Sequence, residues 1–283
     1  MNSNAAGPLK QVAELVAARG REDLVLVDCR FELAAPAAGR LAYLEAHIPG
    51  AAYAHLDHDL SGPPSTDHGR HPLPSPERLC ALFGALGIDA TQQVVAYDDA
   101  GGMFAARLWW MLRYMGHGAV TVLDGGWQAW VNAGGATASG DERPPARHFR
   151  GAPRRDRLVT LDEVERVAQL VDARAAPRYR GEVEPLDKHP GHIPGAINHC
   201  WQSNLGVDGR LADADTLTQR WQASLGALPN AATVHYCGSG VSACHNVLAQ
   251  VAAGLPEPRL YCGSWSEWCR DSGRPRVIGG ESR

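Results

Sequence analysis

Residues 233–242 read TVHYCGSGVS, and this stretch decides the fold class. Residues 233–236 form a short β-rich run, glycines then allow a tight turn, and a helix is predicted from about Ala243. A strand that passes directly into a helix is the repeating unit of α/β folds with a parallel sheet. In such sheets the ligand site lies at the carboxyl ends of the strands, which is where Cys237 stands.

The same alternation runs along the rest of the chain. β-rich runs and helical stretches follow one another: strands over residues 24–27, 93–97 and 120–123, and helices over residues 75–84, 104–114, 161–170 and 242–253. The pattern predicts an α/β fold in which a mainly parallel sheet is covered by helices on both faces.

Three motifs occur twice, in the same order and at nearly the same offset. They are LVDCR (26–30) and LVDAR (170–174), HIPGA (47–51 and 192–196), and GGWQAW (125–130) and GSWSEW (263–268). A repeat this long indicates two copies of a domain. Residues 138–156 are rich in proline, glycine and charge, which is typical of a linker. We therefore predict an N-terminal domain over residues 1–137 and a C-terminal domain over residues 157–283.

The loop after the strand at 233–236 points to thiol chemistry. Successive backbone amides in a glycine-containing turn form an anion-binding nest, and the start of the next helix adds partial positive charge. Cys237 lies at the base of this turn, so an anionic sulfur, either thiolate or persulfide, is favoured there. This chemistry needs neither a metal nor a cofactor.

Composition excludes several classes of function. The chain of 283 residues has 45% hydrophobic residues, which is ordinary for a globular protein. Its net charge of −4 provides no electrostatic attraction to nucleic acid or to an anionic membrane. No apolar run approaches the ~20 residues of a membrane span, and the start has no secretory signal pattern. The seven cysteines are irregularly spaced without a CxxC pair, so we expect them to be reduced and the protein to be cytoplasmic.

The stretch CGSGVSA at 237–243 resembles the active-site loop of the rhodanese superfamily, and is closest to its 3-mercaptopyruvate sulfurtransferase type. The two HIPGA motifs and both tryptophan motifs extend the resemblance over nearly the whole chain. It implies a tandem rhodanese fold with catalysis in the second copy. Asp98 stands in the first copy where Cys237 stands in the second, so the first copy is expected to be non-catalytic.

The resemblance also implies a set of site residues. Cys237 is the expected nucleophile, and Ser239, His71 and Asp57 form the expected group that moves a proton during transfer. The expected substrate-binding residues are Arg178, whose guanidinium suits a carboxylate, and Gly238, Gly240, Val241 and Ser242 of the loop.

Two features leave the choice of donor open. Enzymes of the mercaptopyruvate type commonly carry a second arginine nine residues after the first, but this chain has Asp187 there, with Lys188 beside it as a candidate point charge. Asp187 resembles what thiosulfate-type enzymes carry, whereas the neutral Gly238 and Ser239 favour mercaptopyruvate. Cys244, on the following helix, is a further thiol of undetermined role.

The resemblance thus implies a sulfurtransferase that moves sulfur from 3-mercaptopyruvate, through a Cys237 persulfide, to a thiol, thioredoxin or cyanide acceptor. Thiosulfate sulfurtransferase activity and a non-enzymatic sulfur carrier or binding module on the same fold are the alternatives. A cysteine phosphatase is disfavoured, because residues 238–245 contain no arginine to bind phosphate.

Overall fold

Strands and helices alternate along both halves of the chain in the computed structural model, which describes residues 7–65 and 67–280. The chain divides into two units. The first comprises the described residues up to Leu60, together with Pro74–Pro153 and Val207–Leu211. The second comprises Ser61–Leu73, Arg154–Gly206 and the described residues from Ala212 onward.

The first unit contains a five-stranded parallel sheet in the order β1-β5-β4-β2-β3. Its strands are β1 (Leu9–Lys10), β2 (Leu24–Asp28), β3 (Ala51–Tyr53), β4 (Gln93–Tyr97) and β5 (Val120–Leu123). Its helices are α1 (Val12–Ala18), α2 (Ala38–Glu45), α3 (Pro76–Ala85), α4 (Ala105–Tyr114) and α5 (Gly126–Asn132).

The second unit repeats this sheet in the order β6-β10-β9-β7-β8, again with all pairs parallel. Its strands are β6 (Leu158–Val159), β7 (Leu170–Asp172), β8 (Ala196–Asn198), β9 (Val234–Tyr236) and β10 (Arg259–Tyr261). Its helices are α6 (Ala176–Tyr179), α7 (Ala214–Leu225), α8 (Ser242–Ala252) and α9 (Ser264–Trp268), with short 3-10 helices at Arg155–Arg157, Val164–Arg166 and Trp201–Asn204. The identical strand order confirms the predicted duplication and the α/β class.

The central strands are apolar because both faces of a parallel sheet are covered. Strand β4 is buried from Val94 to Tyr97, and β9 is buried throughout. Aromatic residues of the repeated tryptophan motifs, Trp130 in the first unit and Trp265 in the second, lie in the corresponding cores. Each sheet is thereby a rigid platform whose strand ends can position loops.

Helix boundaries follow local capping signals. The helix predicted over residues 75–84 is found as α3, because Ser75 accepts a hydrogen bond from the amide of Arg78 and Pro76 occupies the first turn. The helix predicted over residues 161–170 is wrong. Only residues 160–169 connect β6 to β7, whereas residues 11–23 connect β1 to β2, so the second copy has room for one 3-10 turn instead of a counterpart of α1.

Neither unit is one continuous stretch of the chain. The domain bounds of 1–137 and 157–283 stay a prediction. Residues 138–153 belong to the first unit, where Ala138 bridges to His47 and Phe149 is buried against Phe83. Ser61–Leu73 belongs to the second unit, and this segment carries His71. Within residues 7–65 and 67–280, no helix combines the length and apolar character needed to cross a membrane.

Candidate active site

Cys237 follows β9 directly and is only 2% exposed. The sulfur accepts a hydrogen bond from the amide of Gly240 at 3.1 Å, as expected where the loop folds back over the thiol. Gly240 has a φ of +79°, a left-handed conformation that glycine adopts without strain, so this residue makes the turn possible. We call residues 237–242 the cysteine loop; helix α8 begins at its last residue.

A second segment fixes the cysteine loop from the side. The amide of Cys237 donates to the hydroxyl of Ser264 at 3.1 Å, and its carbonyl accepts from the amide of Trp265 at 2.9 Å. The carbonyl of Gly238 accepts from the amide of Ser266 at 2.8 Å. Ser264 has a φ of +59°, unusual for a residue with a side chain, so the segment after β10 is held in a specific conformation beside the loop.

The side chains of Ser239 and His71 lie together. Nδ1 of His71 is 2.7 Å from Oγ of Ser239, and the two side chains are 8% and 6% exposed. His71 comes from Ser61–Leu73, which we call the histidine loop. That loop is held by a hydrogen bond from the amide of Gly62 to the carbonyl of Pro72 at 2.8 Å. The geometry allows a proton to pass between the hydroxyl and the imidazole.

Asp57 lies in the first unit, in the segment after β3. Its backbone amide donates to Nδ1 of His55 at 3.1 Å. Its expected role beside His71 stays a prediction.

Arg178 lies on the short helix α6 and is held by two carboxylates. Its Nη2 donates to Glu184 at 2.6 Å and to Asp187 at 3.2 Å, and its Nε donates to Glu184 at 3.3 Å. Both carboxylates are almost fully buried, at 3% and 4% exposure. Burial raises the pKa of Asp187 above its ordinary value, while the guanidiniums of Arg70 and Arg178 oppose that rise.

Arg70 is a residue that the sequence analysis missed. It precedes His71 in the histidine loop, and its Nη1 forms an ion pair with Asp187. Its amide donates to the hydroxyl of Ser266 at 3.0 Å. The only sequence signal was its position next to the predicted histidine, because its partner Asp187 is remote along the chain. Lys188, the candidate point charge in place of a second arginine, is exposed.

The remaining loop residues pack around the thiol. Val241 is 5% exposed, and Ser242 is the first residue of α8. Cys244, the third residue of α8, is fully buried, and its thiol donates to the carbonyl of Gly240 at 3.2 Å. The structure thus brings Cys237 into one unit with every predicted site residue except Asp57.

The first unit has a carboxylate at the equivalent place. Asp98 follows β4 and is fully buried, and its two oxygens accept four backbone amides at 2.7 to 2.9 Å. Burial raises the pKa of Asp98, while these amide bonds oppose that rise. The strand-to-helix turn of the first unit therefore directs four backbone amides at one carboxyl group, that of Asp98.

Within the described residues, no group of three or more histidine, cysteine, aspartate or glutamate side chains is arranged to hold a metal ion.

Comparisons with known proteins agree with this architecture. A model of the rhodanese-like domain matches residues 11–133 and 156–271. A Pseudomonas aeruginosa protein named probable 3-mercaptopyruvate sulfurtransferase is 47% identical over 277 residues, which cover 94% of this chain and 97% of the relative. Thiosulfate sulfurtransferase of Bos taurus is 35% identical over 243 residues, covering 81% and 79%. The solved structure of 3-mercaptopyruvate sulfurtransferase from Leishmania major has a TM-score of 0.82 at 33% identity, covering 93% of this chain and 74% of that one.

The chain belongs to the rhodanese family and contains two rhodanese-like domains. The relatives it matches are sulfurtransferases, and they support a sulfurtransferase function for this chain as well.

Proposed function

We propose that this chain transfers sulfane sulfur from 3-mercaptopyruvate to a thiol, cyanide or thioredoxin-like acceptor, with Cys237 as the carrier. One observation carries the proposal. The sulfur of Cys237 accepts the amide of Gly240 at 3.1 Å, in the same loop whose Ser239 contacts His71 at 2.7 Å. A buried sulfur with an amide donor and an adjacent proton-transfer pair is suited to nucleophilic transfer.

The first displacement loads the cysteine. The thiolate of Cys237 attacks the sulfur of 3-mercaptopyruvate, and a sulfur–sulfur bond forms while the carbon–sulfur bond breaks. The electron pair of the broken bond passes to the leaving carbon, giving the enolate of pyruvate. That carbon takes up the proton that the donor's thiol releases, so the products are pyruvate and a persulfide anion on Cys237.

The Ser239–His71 pair supplies a path for that proton. The hydroxyl of Ser239 receives the proton of the donor's thiol and relays it through the imidazole of His71. The further role expected of Asp57, to orient the imidazole as in other triads, stays a prediction. A thiol, cyanide or protein acceptor then attacks the outer sulfur and expels the Cys237 thiolate, which gives ping-pong kinetics.

Thiosulfate is the second candidate donor. The presence of Arg70 and Arg178 near Gly238 favours it, because the site is not as neutral as the side chains of the cysteine loop suggested. Sulfite is then the leaving group, and no proton transfer is needed. A pure sulfur carrier is the third reading, and it predicts a stable persulfide without turnover.

The test is steady-state sulfur transfer with 3-mercaptopyruvate and thiosulfate side by side, using cyanide as the common acceptor. We expect a higher kcat/KM for 3-mercaptopyruvate and complete loss of transfer in Cys237→Ala. The matched control is Cys200→Ala, a partly buried thiol in the same unit, which should retain activity. A preference for thiosulfate supports the second candidate, and retained transfer in Cys237→Ala contradicts the proposed mechanism.

We also propose a reducing compartment, the cytoplasm, as the place of function. All seven cysteines lie in the described part of the chain and none is in a disulfide.

A further inference from the structure

Ser266 forms hydrogen bonds with both the cysteine loop and the histidine loop. Its amide donates to the carbonyl of Gly238 at 2.8 Å, and its hydroxyl accepts from the amide of Arg70 at 3.0 Å. Gly238 directly precedes Ser239, and Arg70 directly precedes His71. One residue therefore fixes the backbone just before each member of the pair that is in contact at 2.7 Å.

The backbone of the histidine loop comes close to Ser266 at Gly69. A Cβ atom placed on Gly69 lies 2.5 Å from the carbonyl oxygen of Gly263 and 2.7 Å from Oγ of Ser266. The φ of Gly69 is not in the left-handed region, so the close approach, and not the backbone conformation, requires glycine here. This close approach allows the amide of the next residue, Arg70, to reach the serine hydroxyl.

Burial distinguishes this hydrogen bond from two other links to the histidine loop. His68 contacts Glu267 at 3.3 Å, but the side chain of His68 is 62% exposed. Arg270 donates to the carbonyl of Ser65 at 2.9 Å, and Arg270 is exposed as well. Water competes with exposed contacts of this kind. Ser266 is only 4% exposed, so water does not readily replace its hydroxyl when that group is removed.

The first unit has a different residue at this place. The motif GGWQAW has Gln128 where GSWSEW has Ser266. Gln128 is exposed, and its side chain donates to Asn132 of the same helix, α5, at 2.9 Å. The copy with Asp98 after its strand thus directs this position to solvent, and the buried hydroxyl belongs to the copy with Cys237. The packing that the two motifs share does not require it.

We propose that Ser266 is a positioning residue that sets the contact between His71 and Ser239 by binding both loops. This inference rests on the proposed function, because the contact matters through the proton that it relays. In Ser266→Ala the amide bond to Gly238 is kept and the hydroxyl bond to Arg70 is lost. The histidine loop then moves relative to a cysteine loop that stays in place, and proton transfer becomes slower.

The kinetic test compares Ser266→Ala in two backgrounds. With His71 present, kcat for 3-mercaptopyruvate should fall about tenfold, because a displaced acid or base loses much of its effect. In His71→Ala the same change should lower kcat by less than about twofold, since the group that it positions is already absent. Gly69→Ala, which pushes the histidine loop away from Ser266, should show the same dependence on His71. General damage to the cysteine loop lowers kcat in both backgrounds.

Hydrogen exchange followed by mass spectrometry tests the positions of the loops without turnover. In Ser266→Ala, peptides from residues 61–73 should exchange about tenfold faster, the effect of losing one hydrogen bond, while the cysteine loop at 237–242 keeps its rate. Ser224→Ala is the matched control. Ser224 lies on α7 of the same unit and contacts Nδ1 of His199 at 2.8 Å, so this variant also loses one hydroxyl contact. Its kcat and the exchange of both loops should be unchanged.

Two results overturn the inference. One is an equal loss of kcat on Ser266→Ala with and without His71. The other is unchanged exchange of residues 61–73 in Ser266→Ala. Failure of the proposed function shows itself differently, as a wild-type protein that transfers no sulfur from 3-mercaptopyruvate, and hydrogen exchange alone then decides whether Ser266 holds the histidine loop.

Discussion

The two copies differ in the side chain that occupies the turn after strand β4 in the first unit and after strand β9 in the second. In the first unit the carboxylate of Asp98 occupies the turn and accepts four backbone amides. In the second unit the turn holds the sulfur of Cys237, which accepts the amide of Gly240. The same backbone turn thus places a hydrogen-bond acceptor in both copies, a carboxyl group in the first and a sulfur atom in the second.

The scaffold around these turns is nearly the same in both copies. Arg30 pairs with Asp28 in the first unit and Arg174 pairs with Asp172 in the second, at 2.6 and 2.7 Å. Each guanidinium also lies over a tryptophan ring of the repeated motif, with distances of 4.5 and 4.9 Å to the centroid. Duplication preserved the packing, while the chemistry depends on a few loop residues.

The histidines of the two HIPGA motifs belong to this shared scaffold. His47 stacks on Tyr43 and His192 stacks on Tyr179, and each Nδ1 lies 2.8 Å from the carbonyl of that same tyrosine. Their recurrence in the first copy, which has Asp98 at the place of Cys237, fits a structural role.

The largest expected effect concerns Asp98, whose carboxyl group occupies the turn after β4 in the first unit. Asp98→Ala removes the acceptor of four buried amides, so we expect the free energy of unfolding to fall by about 4 kcal/mol. Urea denaturation measures it, with Asp99→Ala, the exposed neighbour, as the control. If both variants unfold at the same urea concentration, Asp98 does not stabilise the turn as described.

The next effect concerns the proton path that we propose for Ser239 and His71 in the second unit. Ser239→Ala and His71→Ala should each lower kcat for 3-mercaptopyruvate about 100-fold, the usual contribution of a positioned acid or base. Because the two residues act as one path, the double variant should lose little more than either single variant. If the losses of kcat in the two single variants add up in the double variant, the two residues do not share a path. If kcat is unchanged in the single variants, neither residue moves the proton.

The smallest effect concerns two buried histidines of the second unit. In the second unit, burial lowers the pKa of His199 and of His235 to about 4. The unfolded chain binds protons at these sites below about pH 6.5, so their contribution to stability is complete above that pH and is lost as pH falls toward 4.

His235→Gln keeps a donor for Gln250, which His235 contacts at 3.0 Å, and removes the titration. Between pH 7 and pH 5 the variant should therefore lose about 1 to 2 kcal/mol less stability than wild type. Urea denaturation at both pH values checks this. An equal loss in both proteins shows that His235 does not contribute to the acid sensitivity.

Local signals were enough to predict the fold and the cysteine loop. Two kinds of local pattern specify structure through neighbouring residues: the strand-glycine-helix pattern at residues 233–242 and the repeated motifs. Such patterns can be recognised in a single sequence. Ser239 and His71 were predicted through resemblance alone, and the structure places their side chains in contact.

What the sequence did not reveal depends on pairs that are remote along the chain. Arg70 meets Asp187 only after folding, and so the aspartate was interpreted as a missing arginine instead of as a partner of one. The predicted helix over residues 161–170 failed for another reason. Its amphipathic pattern is compatible with a helix, but the short connection from β6 to β7 leaves only one 3-10 turn, Val164–Arg166.

The central claim is that Cys237 of the second copy carries the sulfur. Mass spectrometry of the protein after incubation with 3-mercaptopyruvate, followed by digestion under non-reducing conditions, tests it most directly. We predict that the peptide containing Cys237 gains the mass of one sulfur atom and loses it again when cyanide is added. Sulfur found on another cysteine, or continued turnover without any modified Cys237 peptide, would contradict the account.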